Sequence, residues 1–269
     1  MKTIFYYNQI MTKRTFVQNP QYHAFADFSK KVPAIFQTEG TLIHNARNQI
    51  KVFTVNGQKV NVKKYCIPPI LNRILYSLGW RTPKAKATYE NAQKILAKGF
   101  LTPQPYGYIL EKNGGLLDFS YFISEQIDGW ETVGYRTHTD DFIKALARFT
   151  VDLHEKGLLH VDYTPNNILF TRQNGQYTFS IVDINRFRFY NGPIPVKNAL
   201  ENLMKPFHDD EQLEKFVRFY CDFRKANPNL YKKVLRRRHW RNAYDTFKDN
   251  LKKLPLSGVF INQPLGKQK

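Results

Sequence analysis

Hydrophobic and polar residues alternate along several short segments in the first half of the chain, which is the pattern of half-buried β-strands. Three such strands are predicted over Thr38–His44, Gln49–Val55 and Gln58–Tyr65. Asn56-Gly57 separates the second from the third, and this pair favours a two-residue hairpin turn. Two further strands, YGYILEK and SYFISEQI, are predicted on either side of Gly114-Gly115. We therefore expect a small antiparallel sheet in this part of the chain.

The hydrophobic period changes to that of a helix in other segments. Over Pro83–Lys98, apolar residues recur every three or four positions, with Thr82 as the predicted N-cap and Gly99 just past the end. After Gly129 a second helical period begins, and this helix is predicted to end at Gly157. The strand YTFSIVDI follows later in the sequence, and the chain from about residue 198 onward has a mainly helical pattern.

The order of these elements predicts the fold class. Three strands, one helix and two strands precede a mostly helical remainder, which is typical of an α+β fold with two lobes. We place the lobe boundary near Gly129. Residues 1–129 would then form a β-rich N-terminal lobe with one helix, and residues 130–269 a larger, mainly helical C-terminal lobe.

Composition restricts the partners and the cellular location. The formal net charge of the 269 residues is +19, which suits nucleic acid, an anionic membrane or a phosphorylated glycolipid, although a generally basic, solvated surface is the plain alternative. Cys66 and Cys221 are far apart and form neither a disulfide framework nor a zinc-binding spacing. Neither a cleavable leader nor an apolar run of membrane-spanning length is visible, so we expect a cytoplasmic protein.

The segment His160–Asn167, HVDYTPNN, carries the strongest chemical signal. It resembles the catalytic loop of the protein-kinase superfamily, His-x-Asp-x-x-x-x-Asn, and Val182-Asp183 follows where kinases keep a metal-binding Asp. Phosphoryl transfer needs one carboxylate to accept a proton, a second to hold Mg²⁺ on the phosphates, and a nearby amide oxygen. Asp162, Asp183 and Asn167 fit these roles in that order. Taken alone, Asp-Tyr-Thr-Pro would more simply be a capped turn, but several features agree in order and spacing.

Three residues elsewhere complete the predicted nucleotide site. Val60–Lys63 resembles the Val-Ala-Ile-Lys of the third kinase strand, which implies that Lys63 neutralises the nucleotide phosphates. Neighbouring strand residues face opposite sides, so only one of Lys63 and Lys64 can face the cleft, and the motif favours Lys63. Glu90 is the predicted partner of Lys63, against the alternative of a surface glutamate paired with a lysine four residues on. Gln126 stands at the expected inter-lobe hinge, where the backbone meets adenine.

Departures from the protein-kinase pattern narrow the family. His44–Asn48 replaces the glycine-rich loop, Val161 replaces an Arg, and Asp183–Arg186, DINR, replaces Asp-Phe-Gly, with no Ala-Pro-Glu after it. Together with Val62–Tyr65 and with Glu90 before a stretch rich in Leu, Gly and Pro, these features resemble the bacterial lipopolysaccharide core kinases. Those enzymes phosphorylate Kdo or heptose in the core of lipopolysaccharide.

The resemblance covers roughly residues 38–190 and implies most of the functional expectations. It implies ATP and Mg²⁺ as cofactors and, as substrate, a sugar hydroxyl on a lipopolysaccharide core or lipid A glycolipid. It also predicts a cytoplasmic protein that can attach peripherally to the inner face of the inner membrane. Because Asn tolerates left-handed backbone angles, Asn185 is expected to preserve the turn that Asp-Phe-Gly normally makes.

The segment 229–254 contains nine Lys and Arg against two Asp. An apolar stripe at helical spacing runs through it and consists of Trp240, Tyr244, Phe247, Leu251 and Leu254. Two interpretations are open. The stripe can pack on the C-terminal lobe and leave a solvated basic face, or the helix can lie on an anionic surface.

Other functions compatible with the sequence are a protein Ser/Thr kinase, a small-molecule phosphotransferase such as an aminoglycoside kinase, and a non-enzymatic pseudokinase or nucleic-acid-binding domain. The missing activation segment argues against the first. The excess of 41 Lys and Arg over 22 Asp and Glu argues against an acidic pocket for cationic drugs. The complete set of kinase-like residues argues against the third, and no nucleic-acid-binding motif is visible, so nucleic acid is not an expected partner.

Overall fold

The computed structural model describes residues 12–253 of the protein, and the side chains of residues 12–250. Its strands in this range are β1 Lys13–Gln18, β2 Thr41–Asn45, β3 Gln49–Val55, β4 Gln58–Tyr65, β5 Pro105–Asn113, β6 Leu116–Glu125, β7 Glu131–Thr132, β8 Leu158–His160, β9 Ile168–Gln173, β10 Gln176–Ile181 and β11 Phe187–Phe189. Its α-helices in this range are α1 Ala26–Ile35, α2 Ile70–Ser77, α3 Lys84–Ala97, α4 Asp140–Glu155, α5 Val196–Leu203, α6 Asp210–Arg224 and α7 Leu230–Lys253.

A six-stranded antiparallel sheet forms most of the structure before residue 126, in the order β1-β5-β6-β4-β3-β2. On one face, Val60, Val62 and Ile123 are fully buried against α1. The other face packs against α3 through an aromatic cluster that includes Tyr89 and Tyr108, whose ring centroids are 5.3 Å apart. Because both faces are covered, β5 is buried over nearly its whole length.

The strands predicted around the Asn56-Gly57 turn are confirmed. Both turn residues have the positive φ that this hairpin requires, at 52° and 75°. The predicted helix over Pro83–Lys98 corresponds to α3, but Thr82 does not cap it; Pro83 occupies the N-cap position and makes no side-chain cap hydrogen bond. The predicted strand YTFSIVDI ends at Ile181, so Val182-Asp183 belongs to the loop that follows.

The sequence prediction lacked the short strands β7, β8, β9 and β11 and also three elements of the first half of the chain: β1, α1 and α2. β1 pairs with β5, about 90 residues further along the chain, and α1 covers the adjoining sheet face. The existence of both elements depends on distant partners. The lobe boundary near Gly129 stays a prediction.

The helical part of the fold is built around α4 and α6, which pack along each other over one large hydrophobic core. A buried chain of polar contacts crosses that core. His154 contacts the Tyr220 hydroxyl at 2.9 Å through Nδ1 and the Asn202 side-chain oxygen at 3.1 Å through Nε2. Asn202 in turn donates to the His160 carbonyl at 2.6 Å. This chain ties α4, α5 and α6 to the start of the segment HVDYTPNN.

The part of the α7 apolar stripe that lies within the described side chains is not packed on the protein. Trp240, Tyr244 and Phe247 are all largely exposed, which contradicts the packed interpretation for these three residues. The side chains of Leu251 and Leu254 lie outside the described residues. None of the helices within residues 12–253 has the length and apolar character needed to cross a bilayer.

Candidate active site

A cleft of about 580 Å³ lies between the sheet and the loops that follow β8 and β10. Residues from β4, from the segment after β6 and from those two loops form its walls. Four of the six predicted site residues line it: Lys63, Gln126, Asn167 and Asp183; Asp162 and Glu90 are not part of its lining. The fold therefore collects residues from four separate parts of the sequence around one cavity.

The segment HVDYTPNN forms a tight loop that is held by its own residues. His160 is buried, and its Nε2 lies 2.9 Å from the Val182 carbonyl while its Nδ1 accepts from the Asp162 backbone N–H at 3.1 Å. Since Nδ1 accepts, Nε2 must carry the proton, and burial lowers the pKa of the ring and keeps it neutral. The Asn167 side-chain nitrogen donates to the Asp162 carbonyl at 2.9 Å. The Asn167 oxygen is then the side-chain atom left for a ligand.

Lys63 and Asp183 form an ion pair across the cleft, with Nζ 2.7 Å from Oδ1. Burial by itself would raise the pKa of the Asp183 carboxyl, but the Lys63 ammonium outweighs burial and holds that pKa below its usual value. Asn185 donates to the same Oδ1 at 2.9 Å. Both groups are therefore charged near neutral pH, and Asp183 is held in one orientation.

The backbone of the DINR segment differs from the expectation for Asn185. The residue in the left-handed region is Asp183, with φ +55°, and Asn185 has no positive φ. Asp tolerates this conformation better than most residues because its short polar side chain can bond locally. An observed strain of this kind at a cleft residue is typical of a functional position.

Lys64 lies on the opposite face of β4 from Lys63, as strand alternation requires. Its Nζ is 3.8 Å from the centroid of the Phe119 ring, and the side chain is buried. Burial lowers the pKa of this ammonium, although Glu111 and Asp118 act in the other direction. The structure thus places Lys63, and not Lys64, in the cleft.

Glu90 does not pair with Lys63 in this structure. Its carboxylate lies 3.7 Å from Lys86, one helical turn earlier in α3, and its side chain is 43% exposed. α3 instead turns Thr88 and Asn91 toward the cleft side. Thr88 contacts the Tyr65 hydroxyl at 2.8 Å, and Asn91 donates to the Ile184 carbonyl at 2.7 Å. The buried residues of α3 set this helix rotation, and it leaves Glu90 at the surface.

Gln126 lines the cleft where the chain leaves β6. Its side-chain oxygen accepts from the Asn61 amide at 2.7 Å, and its backbone N–H donates to the Lys59 carbonyl at 3.3 Å. Gln126 is therefore tied to β4 on two sides. Its predicted role beside adenine stays a prediction.

The structure brings two further cations to the catalytic loop that the sequence reasoning did not select. Arg186 donates to Oδ2 of Asp162 at 3.2 Å, and Lys205 donates to the Val161 carbonyl. Arg186 could have been found, because it is the last residue of the DINR element that already stood out. Lys205 follows α5 with no motif around it, so only the fold reveals it.

The comparison with solved structures identifies the class of fold. The structure of WaaP in complex with acyl carrier protein matches with a TM-score of 0.55 and 14% sequence identity, over 89% of this chain and 100% of that one. The Rio2 kinase–ADP/Mg²⁺–phosphoaspartate complex from Chaetomium thermophilum matches with a TM-score of 0.47 and 14% identity, over 76% of this chain and 63% of that one. The fold is of the protein-kinase-like class.

The family follows from the sequence. The model of the lipopolysaccharide kinase (Kdo/WaaP) family matches residues 34–215, which is more than half of the chain, so this protein belongs to that family. The match confirms the family that the motifs predicted, and it makes the chain a phosphotransferase of the lipopolysaccharide kinase type. No curated protein matches the chain.

Proposed function

We propose that this protein uses ATP and Mg²⁺ to phosphorylate a sugar hydroxyl, of Kdo or heptose, in the inner core of lipopolysaccharide. The observation that carries the proposal is that Asn167 and the Lys63–Asp183 pair line one cleft, with Asp162 hydrogen-bonded to Asn167 beside it, in a member of this family. Phosphoryl transfer depends on positioning and electrostatics more than on covalent chemistry by the protein. A few rigidly held charged groups around a nucleotide-sized cleft are what that reaction requires.

Asp162 is the proposed catalytic base. Its carboxylate is about one-third exposed, next to the cleft residue Asn167, and can accept a hydrogen bond from an incoming hydroxyl. The contact from Arg186 and the backbone contacts through His160 restrict the orientation of that carboxylate. Because the transition state is loose, aiming the acceptor oxygen at the phosphorus matters as much as removing its proton.

Asn167 and Asp183 would hold the metal ion. Within the described residues, no cluster of three or more His, Cys, Asp or Glu side chains could bind a metal on its own. A carboxylate and an amide oxygen suit Mg²⁺, which usually takes one or two protein oxygens and completes its shell with phosphate oxygens and water. Bound in this way, the ion would neutralise charge on the phosphates. The residues present therefore fit a nucleotide-borne Mg²⁺.

Lys63 would bind the phosphates of the nucleotide and Gln126 would lie beside adenine. The Lys63 ammonium stays charged because the favourable influence of Tyr65 and Asp183 outweighs the effect of burial, which alone would lower its pKa. An approach of Glu90 to Lys63 in a closed, nucleotide-bound state stays a prediction. In this structure, Lys63 pairs with Asp183 and not with Glu90.

The acceptor would enter from the side of a basic cavity next to the catalytic loop. This cavity has a volume of about 230 Å³ and contains Lys205, Arg238 and Arg241 together with Thr164. Cations of this kind form charge-assisted hydrogen bonds to phosphates and carboxylates. Arg238 is already fixed by Asp210 at 3.2 Å, which keeps it in place. The phosphates of lipid A and the carboxylate of Kdo are anionic groups that these cations could bind.

The test combines a catalytic variant with analysis of the product. Asp162→Ala should lower turnover by on the order of 10²-fold or more, since general acid–base help is worth about 10²–10⁴. ATP affinity should stay close to the wild-type value because Lys63, Asn167 and Asp183 still hold the nucleotide. Mass spectrometry of lipid A-core from cells that carry the wild-type or the variant gene should show the loss of one core phosphate.

Asp152→Ala is the matched control. Asp152 is a half-exposed carboxylate that pairs with Arg148 on the outside of α4, and its removal should leave both measurements unchanged. Full turnover in Asp162→Ala would show that the catalytic loop has been misinterpreted. A parallel loss of ATP binding would instead make Asp162 a structural residue or a metal ligand.

A further inference from the structure

α2 exposes its apolar face to solvent and turns its polar face to the protein. Ile70, Leu71, Ile74 and Leu78 lie within one stripe on the outer side of this helix, and they are between 39% and 67% exposed. Trp80, in the turn that follows, is 77% exposed. We call these five residues the α2 surface. Contiguous exposed apolar groups of this size usually mark an interaction site.

The inner face of α2 is firmly attached, so the exposure is not the result of a loosely placed helix. Arg73 donates to the Leu117 carbonyl at 2.7 Å, and the Leu117 N–H donates to the Ser77 hydroxyl at 2.8 Å. Tyr76 is buried in the aromatic cluster beneath the helix. These contacts fix the rotation of α2 with the apolar stripe outward, and they leave that stripe available to a partner.

The charge around the α2 surface limits the chemistry of the partner. Residues 40–89 contain nine Lys and Arg and no Asp or Glu. Arg81 and Lys86 follow the exposed stripe in sequence; Arg81 is exposed, and Lys86 is half-buried and lies 3.7 Å from the Glu90 carboxylate. A second copy of the chain would bring like charges together, which is unfavourable. A lipid bilayer with an apolar interior and anionic headgroups matches this combination. Helices that lie in a membrane interface likewise place apolar side chains in the bilayer and cations among the headgroups.

We propose that the α2 surface docks this protein onto an anionic lipid bilayer, with the apolar side chains in the acyl boundary and the bordering cations among the headgroups. The role of this docking in presenting the acceptor rests on the proposed function; the docking itself does not. Lys84, at the start of α3, lies 5.9 Å from the centroid of the Tyr65 ring, which lines the cleft.

The experiment measures binding of the full chain to vesicles by cosedimentation, without any nucleotide. Vesicles of phosphatidylcholine with added phosphatidylglycerol are compared with vesicles of phosphatidylcholine alone. The variant Leu71→Gln/Leu78→Gln should lower the partition coefficient by on the order of 10²-fold, because each side chain loses most of the gain from leaving water. Both residues are exposed, so melting temperature and ATP turnover with a delipidated oligosaccharide acceptor should not change.

The control variant is Tyr244→Gln/Phe247→Gln, which removes a similar exposed apolar area from α7. Because α7 is the other exposed apolar and basic helix, this variant decides between the two surfaces: docking through α2 predicts that it binds vesicles like the wild type. A second variant, Arg81→Gln/Lys86→Gln, should weaken binding to the anionic vesicles in low salt and have little effect in high salt.

Any of three results would overturn the proposal: no binding of the wild type to anionic vesicles, equal binding of the wild type and Leu71→Gln/Leu78→Gln, or loss of binding in the α7 control alone. Binding of an acidic protein with no binding of vesicles would show that the surface serves a protein partner, and this would also overturn it. An inactive enzyme that still binds vesicles through α2 would refute the proposed function and leave the docking surface intact.

Discussion

The two neighbouring lysines of β4 provide the sharpest test of the site. Replacing each by Met keeps a flexible chain of similar length and removes only the ammonium. Lys63→Met leaves the Asp183 carboxylate without the partner that lies 2.7 Å away, whereas Lys64→Met removes a charge that stacks on Phe119 on the other sheet face. The same substitution should therefore strongly impair activity at position 63 and have little effect at position 64.

The magnitudes follow from burial. Removing one partner of a fully buried ion pair costs about 3–5 kcal/mol, but the Asp183 side chain is 34% exposed, so we reduce this to about 1–2 kcal/mol of unfolding free energy for Lys63→Met. Turnover should fall by about 10²–10³-fold, the effect of losing one charge-stabilising group. Lys64→Met relieves the buried ammonium and keeps contact with the ring, so its stability should change by less than about 1 kcal/mol.

Urea unfolding gives the stability of both variants, and single-turnover kinetics with isothermal titration of ATP separates binding from chemistry. Lys63→Met should lose both nucleotide affinity and turnover, while Lys64→Met should retain both. A loss of activity in Lys64→Met with a normal Lys63→Met would show that the register of β4 is wrong by one residue. If Lys63→Met and Lys64→Met were both active, the Lys63–Asp183 ion pair would not be required for the reaction.

Three further predictions concern residues that support the catalytic loop. Burial lowers the pKa of His154 to about 4, so between pH 6.5 and 4 the unfolded chain binds a proton at this residue and the folded protein does not. The free energy of unfolding should therefore fall by about 3 kcal/mol over this range. In urea unfolding, the stability of His154→Gln should depend less steeply on pH than that of the wild type. A Cβ at Gly157, where φ is +74°, would clash with the Tyr190 carbonyl, so Gly157→Ala should cost more than 2 kcal/mol, on the order of a buried steric conflict. Gly175→Ala, also at positive φ but in open space, should cost only about 1 kcal/mol by thermal denaturation; equal losses would refute the clash. Arg186→Gln should lower turnover and leave ATP affinity unchanged if it positions Asp162; an unchanged turnover would exclude that role.

The parts of the fold that the sequence predicted are those with short-range causes. β3 and β4 follow from alternation and a two-residue turn, which involve residues next to each other. The catalytic loop was also predictable, because His160, Asp162 and Asn167 contact one another within eight residues of chain. The helix rotation that carries Glu90 away from Lys63 was not, since buried contacts with other elements decide it.

The sequence by itself determined the family, the order of the central elements and the chemical type of the site residues. Local propensity and motif spacing carry that information along a continuous stretch of chain. Only the tertiary structure decided that β1 exists, that Lys63 meets Asp183 rather than Glu90, and that Lys205 approaches the catalytic loop. It also decided that α2 presents its apolar stripe to solvent, because Leu117 and the aromatic cluster below hold its polar face inward. Contacts between residues far apart in sequence set these features, and a pattern of neighbouring residues does not contain them.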